Sequence, residues 1–349
     1  MTVSNTPKRL TVKAMAEKLN VSTATISNAF NRPDQLSEAK RRWILEECKR
    51  LGYMGPNAAA RSLRTGRTGI VGVMLADNLA YSLTDPVANE FLHGVAEVLD
   101  RRHMNMLLLS SHDEQRSRLQ ESMVDGFVIY GWLKEEETYQ RLKQHGKPVV
   151  VVDFDLEGCT WVNIDNYDGA RRSAEHALRT PPEQVAILGL RLVDTDRVCR
   201  IRDRELFSET RAISVRRLNG YLDALGAAGY QVPSERIWST PTNTHQDAYQ
   251  AAREALTSSP RPDLLLCMSD RIGLAAIQAA LQMGLRVPDD VRVVGFDGIP
   301  EGANIHPSLT TVYQQSAEKG RVAARIFLGE QEDRNVLLQT HLLVRESCP

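Results

Sequence analysis

Long hydrophobic runs are missing from this sequence. Its longest apolar stretches, such as residues 69–76 and 148–152, fall far short of the ~20 residues that a membrane-spanning helix needs, so no span is expected. Residues 1–11 include Lys8 and Arg9 but neither the apolar stretch nor the small-residue cleavage site of a secretory signal, and a cytoplasmic protein is expected. Cysteine is scarce: Cys48, Cys159, Cys199, Cys267 and Cys348 are odd in number, scattered and never spaced C-x-x-C. That pattern indicates neither a disulfide framework nor a zinc site, and free thiols are expected. No G-x-G-x-x-G, P-loop or G-x-S-x-G motif stands where it would be needed, and His306 has no recognisable partner. No catalytic residue, cofactor or metal is therefore expected.

What is present is an ordinary globular composition of 349 residues, 42% hydrophobic and 25% charged, long enough for a small domain and a larger one. The net charge of -1 hides an asymmetry. Residues 1–68 hold 13 Lys and Arg against 5 Asp and Glu, and the remaining residues carry a net charge of -9. A basic segment of this kind is attracted to the phosphates of DNA, or is simply a solvated face.

The same segment reads as three short helices. Thr11 caps a helix carrying Met15, Ala16 and Leu19; Ser22 caps Thr23 to Phe30, with Ile26 and Ala29 inward; Ser37 opens a third that runs to Leu51 and stops at Gly52. Helix, tight turn, helix in about 45 residues fits a helix-turn-helix domain, and a generic three-helix module would look similar. Beyond residue 68, apolar strands alternate with amphipathic helices, which argues for parallel sheets covered by helices. Strands are expected over 69–75, 104–109, 126–130, 149–153, 185–188, 264–268 and 291–296, and helices over 86–101, 167–179, 245–256 and 271–283. These are too many units for one compact sheet, so two lobes are expected. Ligands of such sheets sit beyond the carboxyl ends of the strands, which singles out Asp77, Tyr130, Asp153, Ser269, Asp270 and Asp297.

Leu10-Thr11-Val12-Lys13-Ala14-Met15-Ala16, Val21-Ser22-Thr23-Ala24-Thr25-Ile26-Ser27-Asn28 and Leu51-Gly52-Tyr53 resemble the headpiece of the LacI/GalR repressor family. Pro56-Asn57-Ala58-Ala59-Ala60-Arg61-Ser62-Leu63-Arg64-Thr65-Gly66 resembles its hinge helix, and Val294-Gly295-Phe296-Asp297, Pro307-Ser308-Leu309-Thr310-Thr311-Val312 and Leu342-Leu343-Val344-Arg345-Glu346-Ser347 extend the likeness almost to the end. The resemblance implies a small all-α helix-turn-helix headpiece (residues 1–55), a hinge and linker (56–68), and an α/β periplasmic-binding-protein-like sensor (69–349) with two Rossmann-like parallel sheets. Its lobes are expected at about 69–165 with 307–329, and 166–306 with 330–349.

By position in that family, Thr23, Ala24 and Asn28 reach base edges in the major groove, and Ser22, Thr25 and Ser27 suit phosphates. Asn28 stands where many relatives have Arg, which favours adenine over guanine. In the hinge, Leu63 is expected to wedge into the minor groove, with Asn57, Arg61 and Arg64 beside it; a buried linker leucine is the other reading. One extra residue lies between Tyr53 and Pro56 relative to the family. Asp77, Tyr130, Asp153, Arg217, Ser269 and Asp297 are the expected effector site: Arg offers a fork of donors, and Asp accepts from paired hydroxyls. The implied function is an effector-controlled repressor, a homodimer on double-stranded operator DNA, responding to a sugar or nucleoside. The alternative is a cytoplasmic sugar-binding protein or a carbohydrate-modifying enzyme on a doubly wound fold. Residues 191–212 are read as a long charged insertion, either a solvated surface loop, the favoured reading, or a lid.

Overall fold

Three hydroxyl caps start the three helices of the N-terminal unit. Thr11 accepts from the Ala14 amide at 3.2 Å, Ser22 from Thr25 at 3.0 Å and Ser37 from Lys40 at 3.4 Å, each satisfying an amide that the helix itself cannot pair. They open α1 (Val12–Lys18), α2 (Thr23–Asn31) and α3 (Glu38–Arg50). Asn20, at φ +48°, makes the left-handed turn between α1 and α2. Met15, Ala16, Ile26, Ala29, Ile44, Cys48 and Tyr53 form the core, with Tyr53 edge-on to Phe30 at 5.8 Å. The computed structural model describes residues 10–55, 66–110, 123–132, 136–144, 146–156, 158–201 and 213–349. It divides the chain into Met1–Gly69 and Ile70–Pro349. Asn57, Arg61, Leu63 and Arg64 lie outside the described residues.

The second unit holds two sheets. The first comprises β1 (Ile70–Leu75), β2 (Asn105–Ser110), β3 (Phe127–Tyr130), β4 (Val149–Val152), β5 (Thr160–Ile164) and the late β12 (Asn335–Leu338), in the order β12-β5-β4-β3-β1-β2 and wholly parallel. The second comprises β6 (Val185–Leu190), β7 (Cys199–Arg200), β8 (Ile237–Thr240), β9 (Leu264–Cys267), β10 (Arg292–Asp297), β11 (Thr310–Tyr313) and β13 (His341–Leu343), in the order β13-β11-β10-β9-β6-β8-β7. Only its edge strands β7 and β13 run antiparallel. Beside a single helical turn at Leu79–Ser82, the α-helices among this unit's described residues are α4 (Pro86–Arg101), α5 (Glu136–Gln144), α6 (Asn166–Ala177), α7 (Ile213–Ala227), α8 (His245–Leu256), α9 (Asp270–Gln282) and α10 (Ser316–Phe327). Strands buried on both faces explain the near-continuous Val, Ile and Leu runs. Backbones of α4 and α10 nearly touch, because Gly94 and Gly320 leave no side chain between them.

The chain passes between the lobes three times: after β5, between β11 and α10, and between β12 and β13. This moves two expected boundaries. Residues 307–313 belong to the second lobe, because β11 pairs with β10, and 330–338 belong to the first, because β12 pairs with β5. The solvated reading of 191–212 also fails for its first half. Leu192 and Ile201 are core residues there, and Cys199–Arg200 is the edge strand; residues 202–212 are not described.

Candidate functional site

In the N-terminal unit, the period of α2 sorts its side chains. Ile26 and Ala29 turn inward, while Thr23, Ala24, Ser27 and Asn28 share the other face, fully or partly exposed. Ser22 and Thr25 are bonded to each other through their hydroxyls at 2.8 Å. A helix whose N-terminal turn is exposed and bears small polar side chains can enter a major groove and reach base edges.

The second site is built at the carboxyl ends of the strands. The first sheet ends there on Asp77, Tyr130 and Asp153, the second on Arg191, Ser269 and Asp297. Asp153 and Asp297 sit at φ +65° and +131°, conformations that a non-glycine residue holds only when its surroundings impose them. From α7, Arg217 is buried against the Phe296 ring, with its guanidinium carbon 3.6 Å from the centroid. It donates to Asn166 Oδ1 (2.9 Å), the Met268 carbonyl (2.5 Å) and Asp297 Oδ1 (3.2 Å). Asp297 Oδ1 also accepts from Gln314 Nε2 at 2.8 Å. The other end of that amide, Oε1, accepts from Lys319 Nζ at 2.9 Å, and Lys319 Nζ donates to Asp153 Oδ2 at 2.6 Å. Asp153, Lys319, Gln314, Asp297 and Arg217 thus form one buried polar chain running from the first lobe, through the crossover, into the second.

Tyr130 stacks on Phe91 at 4.4 Å, and burial together with the Asp153 charge raises its hydroxyl. Burial pushes Asp297 up to about 8, outweighing the pull of Arg217, and pushes Asp270 up to about 6. Asp270 is nonetheless fully engaged: it accepts from the Thr311 hydroxyl and from the amides of Gly298 (2.7 Å) and Ile299 (2.8 Å), which ties the end of β10 to the start of α9. Ser269 caps α9 through Ile272 and donates to Asn243 Oδ1 at 2.6 Å. Asp77 is apart from the buried chain; it pairs with Arg191 of the other lobe at 2.8 Å. A hollow lined by Thr180, Asp263 and Arg292 opens at the amino edge of the second sheet, the wrong end of parallel strands for a ligand.

Three of the six expected cleft residues, Asp153, Arg217 and Asp297, are therefore linked; Tyr130 adjoins them, and Asp77 and Ser269 are held by other partners. Lys319, Gln314 and Asn166 were missed. Lys319 had a legible signal, since it falls on the apolar stripe of α10 with Ser316, Gly320 and Ala323. Among the described residues no cluster of His, Cys, Asp and Glu could hold a metal ion, and no helix is long and apolar enough to cross a membrane.

A basic helix-turn-helix unit and a two-lobed α/β sensor with a polar chain across its cleft define a ligand-responsive DNA-binding protein. Residues 201–348 match the periplasmic binding protein-like domain. The chain is 36% identical to the HTH-type transcriptional regulator Rv3575c of Mycobacterium tuberculosis, covering 93% of this chain and 92% of that protein. It resembles the CelR transcriptional regulator in complex with cellobiose (TM-score 0.67, 27% identity, 97% and 100% covered) and a LacI-family regulator from Corynebacterium glutamicum (TM-score 0.69, 25% identity, 98% and 100% covered). The chain belongs to the LacI family of transcription regulators, and is a DNA-binding regulator rather than an enzyme.

Proposed function

We propose that the protein is a cytoplasmic homodimeric repressor whose affinity for a two-fold symmetric operator is set by a small sugar or nucleoside in the sensor cleft. Thr23, Ala24 and Asn28 read bases, Ser22, Thr25 and Ser27 hold phosphates, and Leu63 wedges the minor groove beside Asn57, Arg61 and Arg64. Asp153, Arg217, Asp297 and Tyr130 hold the effector, while Asp77 and Ser269 shape the rim and floor. One observation carries this reading: side chains from both lobes meet in one buried polar chain. A ligand bound there contacts both lobes, and so discriminates between lobe arrangements, as any effector must. The cellobiose held by the similar CelR structure supports a sugar.

The test is operator binding against effector concentration. Arg217→Ala is expected to abolish the response and leave effector-free operator affinity within about twofold, since every partner Arg217 holds lies on its own lobe and the contacts between lobes remain. A full response in the variant would place the effector elsewhere. Leu63→Ala is expected to weaken operator binding far more than binding to random DNA, and equal losses would remove the wedge.

A further inference from the structure

Within the cleft the described cations are all occupied. Lys319, with no exposed surface, spends its ammonium on Asp153 and Gln314, and Arg217 on Asn166, Met268 and Asp297. Arg191 holds Asp77 and Arg216 holds Asp155 at 2.6 Å, while Arg271 donates to the carbonyls of Asn243 and Thr84. The open positions there, among the described residues, are acceptors, apart from the Ser316 hydroxyl, which can accept or donate. Among the described residues, Asp153 Oδ1, Asp85 Oδ1 and Asn163 Oδ1 are buried acceptors without a hydrogen-bond partner, all on the first lobe. Asp153 itself is only 7% exposed. Asp85 caps α4, the helix whose Phe91 stacks on Tyr130, and Asp153 directly follows β4, whose Val152 pairs with Tyr130. Buried acceptors left open ask for donors, which a hydroxyl supplies and a phosphate or carboxylate oxygen does not.

The polarity of the chain follows from its ends. Lys319 can only donate and the Asp297 oxygen accepts, so the Gln314 amide between them has one allowed orientation. That arrangement occupies Asp153 Oδ2 and leaves Oδ1 without a donor among the described residues.

We propose that the cleft selects an uncharged, hydroxyl-bearing effector over its phosphorylated or carboxylated counterpart, and that Lys319 and Gln314 are the positioning residues that impose this choice. They hold the Asp153 carboxylate with one oxygen open, and they consume the cation that an anion would need. The inference rests on the effector reading of the cleft above.

The experiment measures binding of cellobiose, glucose and ribose to the full chain by calorimetry, beside glucose 6-phosphate, ribose 5-phosphate and glucuronate. At least one neutral sugar is expected to bind tenfold or more tightly than its anionic counterpart. The double variant Lys319→Met with Asp153→Asn removes both charges of the pair while leaving no buried charge alone, and is expected to reduce that preference at least tenfold. Gln314→Leu, which keeps both charges, is expected to weaken the neutral sugar while preserving rejection of the anion. An anionic counterpart bound as tightly as the neutral sugar overturns the inference and leaves the effector site standing, as does an unchanged preference in the double variant. No binding by any of the six overturns the sugar-effector reading itself, and the inference with it.

Discussion

Asp297 gathers the opposing forces of the cleft. It is buried beside a second carboxyl, Asp270, and it accepts from Arg217, Gln314 and the Asp270 amide. Burial wins, and both carboxyls lie above the usual carboxylate range, Asp297 at about 8 and Asp270 at about 6. The sign for stability follows from proton counting. Between about pH 4 and the raised folded values, the folded state holds protons that the unfolded chain has lost, so stability falls as pH rises through that window. The slope is at most about 1.4 kcal/mol per pH unit for each proton held. The thermal midpoint of the ligand-free protein is therefore expected to fall between pH 6 and 8, and Asp297→Asn to flatten that fall. A midpoint that stays level over the same range in the wild type would show that Arg217 holds the carboxyl ionised instead.

At the scale of elements, glycines decide how closely helices pack. A Cβ on Gly94 would lie 1.9 Å from the Ala317 carbonyl, and one on Gly320 would lie 2.2 Å from that of Phe91. Both obstacles are backbone, which cannot rotate away, so Gly94→Ala is expected to destabilise the sensor by about 3 kcal/mol as α4 and α10 separate. Gly226, in α7, has open space around it. Gly226→Ala is expected to stabilise by about 0.5–1 kcal/mol, because it lowers the entropy of the unfolded chain. Denaturant midpoints of the two variants moving the same way would refute the packing argument. In the headpiece, Ser22→Ala removes a cap and is expected to cost about 1 kcal/mol, read as faster hydrogen exchange of the α2 amides in the full chain.

These elements also show what could be read beforehand. Caps, the left-handed Asn20 turn and the buried valine strands rest on local chemistry, and α4 and α8 appear at their expected ends. Strand β5, with Trp161 and Asn163, and strand β8, with Trp238 and two hydroxyl residues, lack the apolar run that marks a buried strand. The three-residue β13 is shorter than any useful period. The lobe boundaries were misplaced because β11 and β12 owe their sheet to pairing partners more than a hundred residues away in one case and next door in the other. At the site, carboxylates at strand ends were visible as strand ends. Lys319 and Gln314 come from the crossover and α10, where proximity to Asp153 is a product of the tertiary fold alone.

At the scale of the whole sensor, three contacts tie the lobes together at the cleft rim. Arg191 pairs with Asp77 at 2.8 Å and lies 5.6 Å from the Tyr81 ring centroid; Arg216 pairs with Asp155 at 2.6 Å; Arg271 donates to the Thr84 carbonyl. Each arginine comes from the second lobe and each acceptor from the first. The Arg191 and Asp77 side chains are 43% and 38% exposed, so each such pair contributes only about 0.2–1 kcal/mol in water and salt. Contributions of that size do not decide whether the protein folds. They do shift an equilibrium between two lobe arrangements, because about 1 kcal/mol changes the ratio of two states roughly fivefold. The double variant Arg191→Ala with Arg216→Ala is therefore expected to keep its thermal midpoint nearly unchanged. Its radius of gyration by solution scattering should increase without ligand and return to the wild-type value with saturating ligand. Its apparent effector affinity should fall by about three- to tenfold, since ligand binding must then draw the lobes together without the rim contacts. An unaltered radius and an unaltered effector midpoint would show that the rim pairs are bystanders, and that the buried chain from Asp153 to Arg217 sets the lobe arrangement alone.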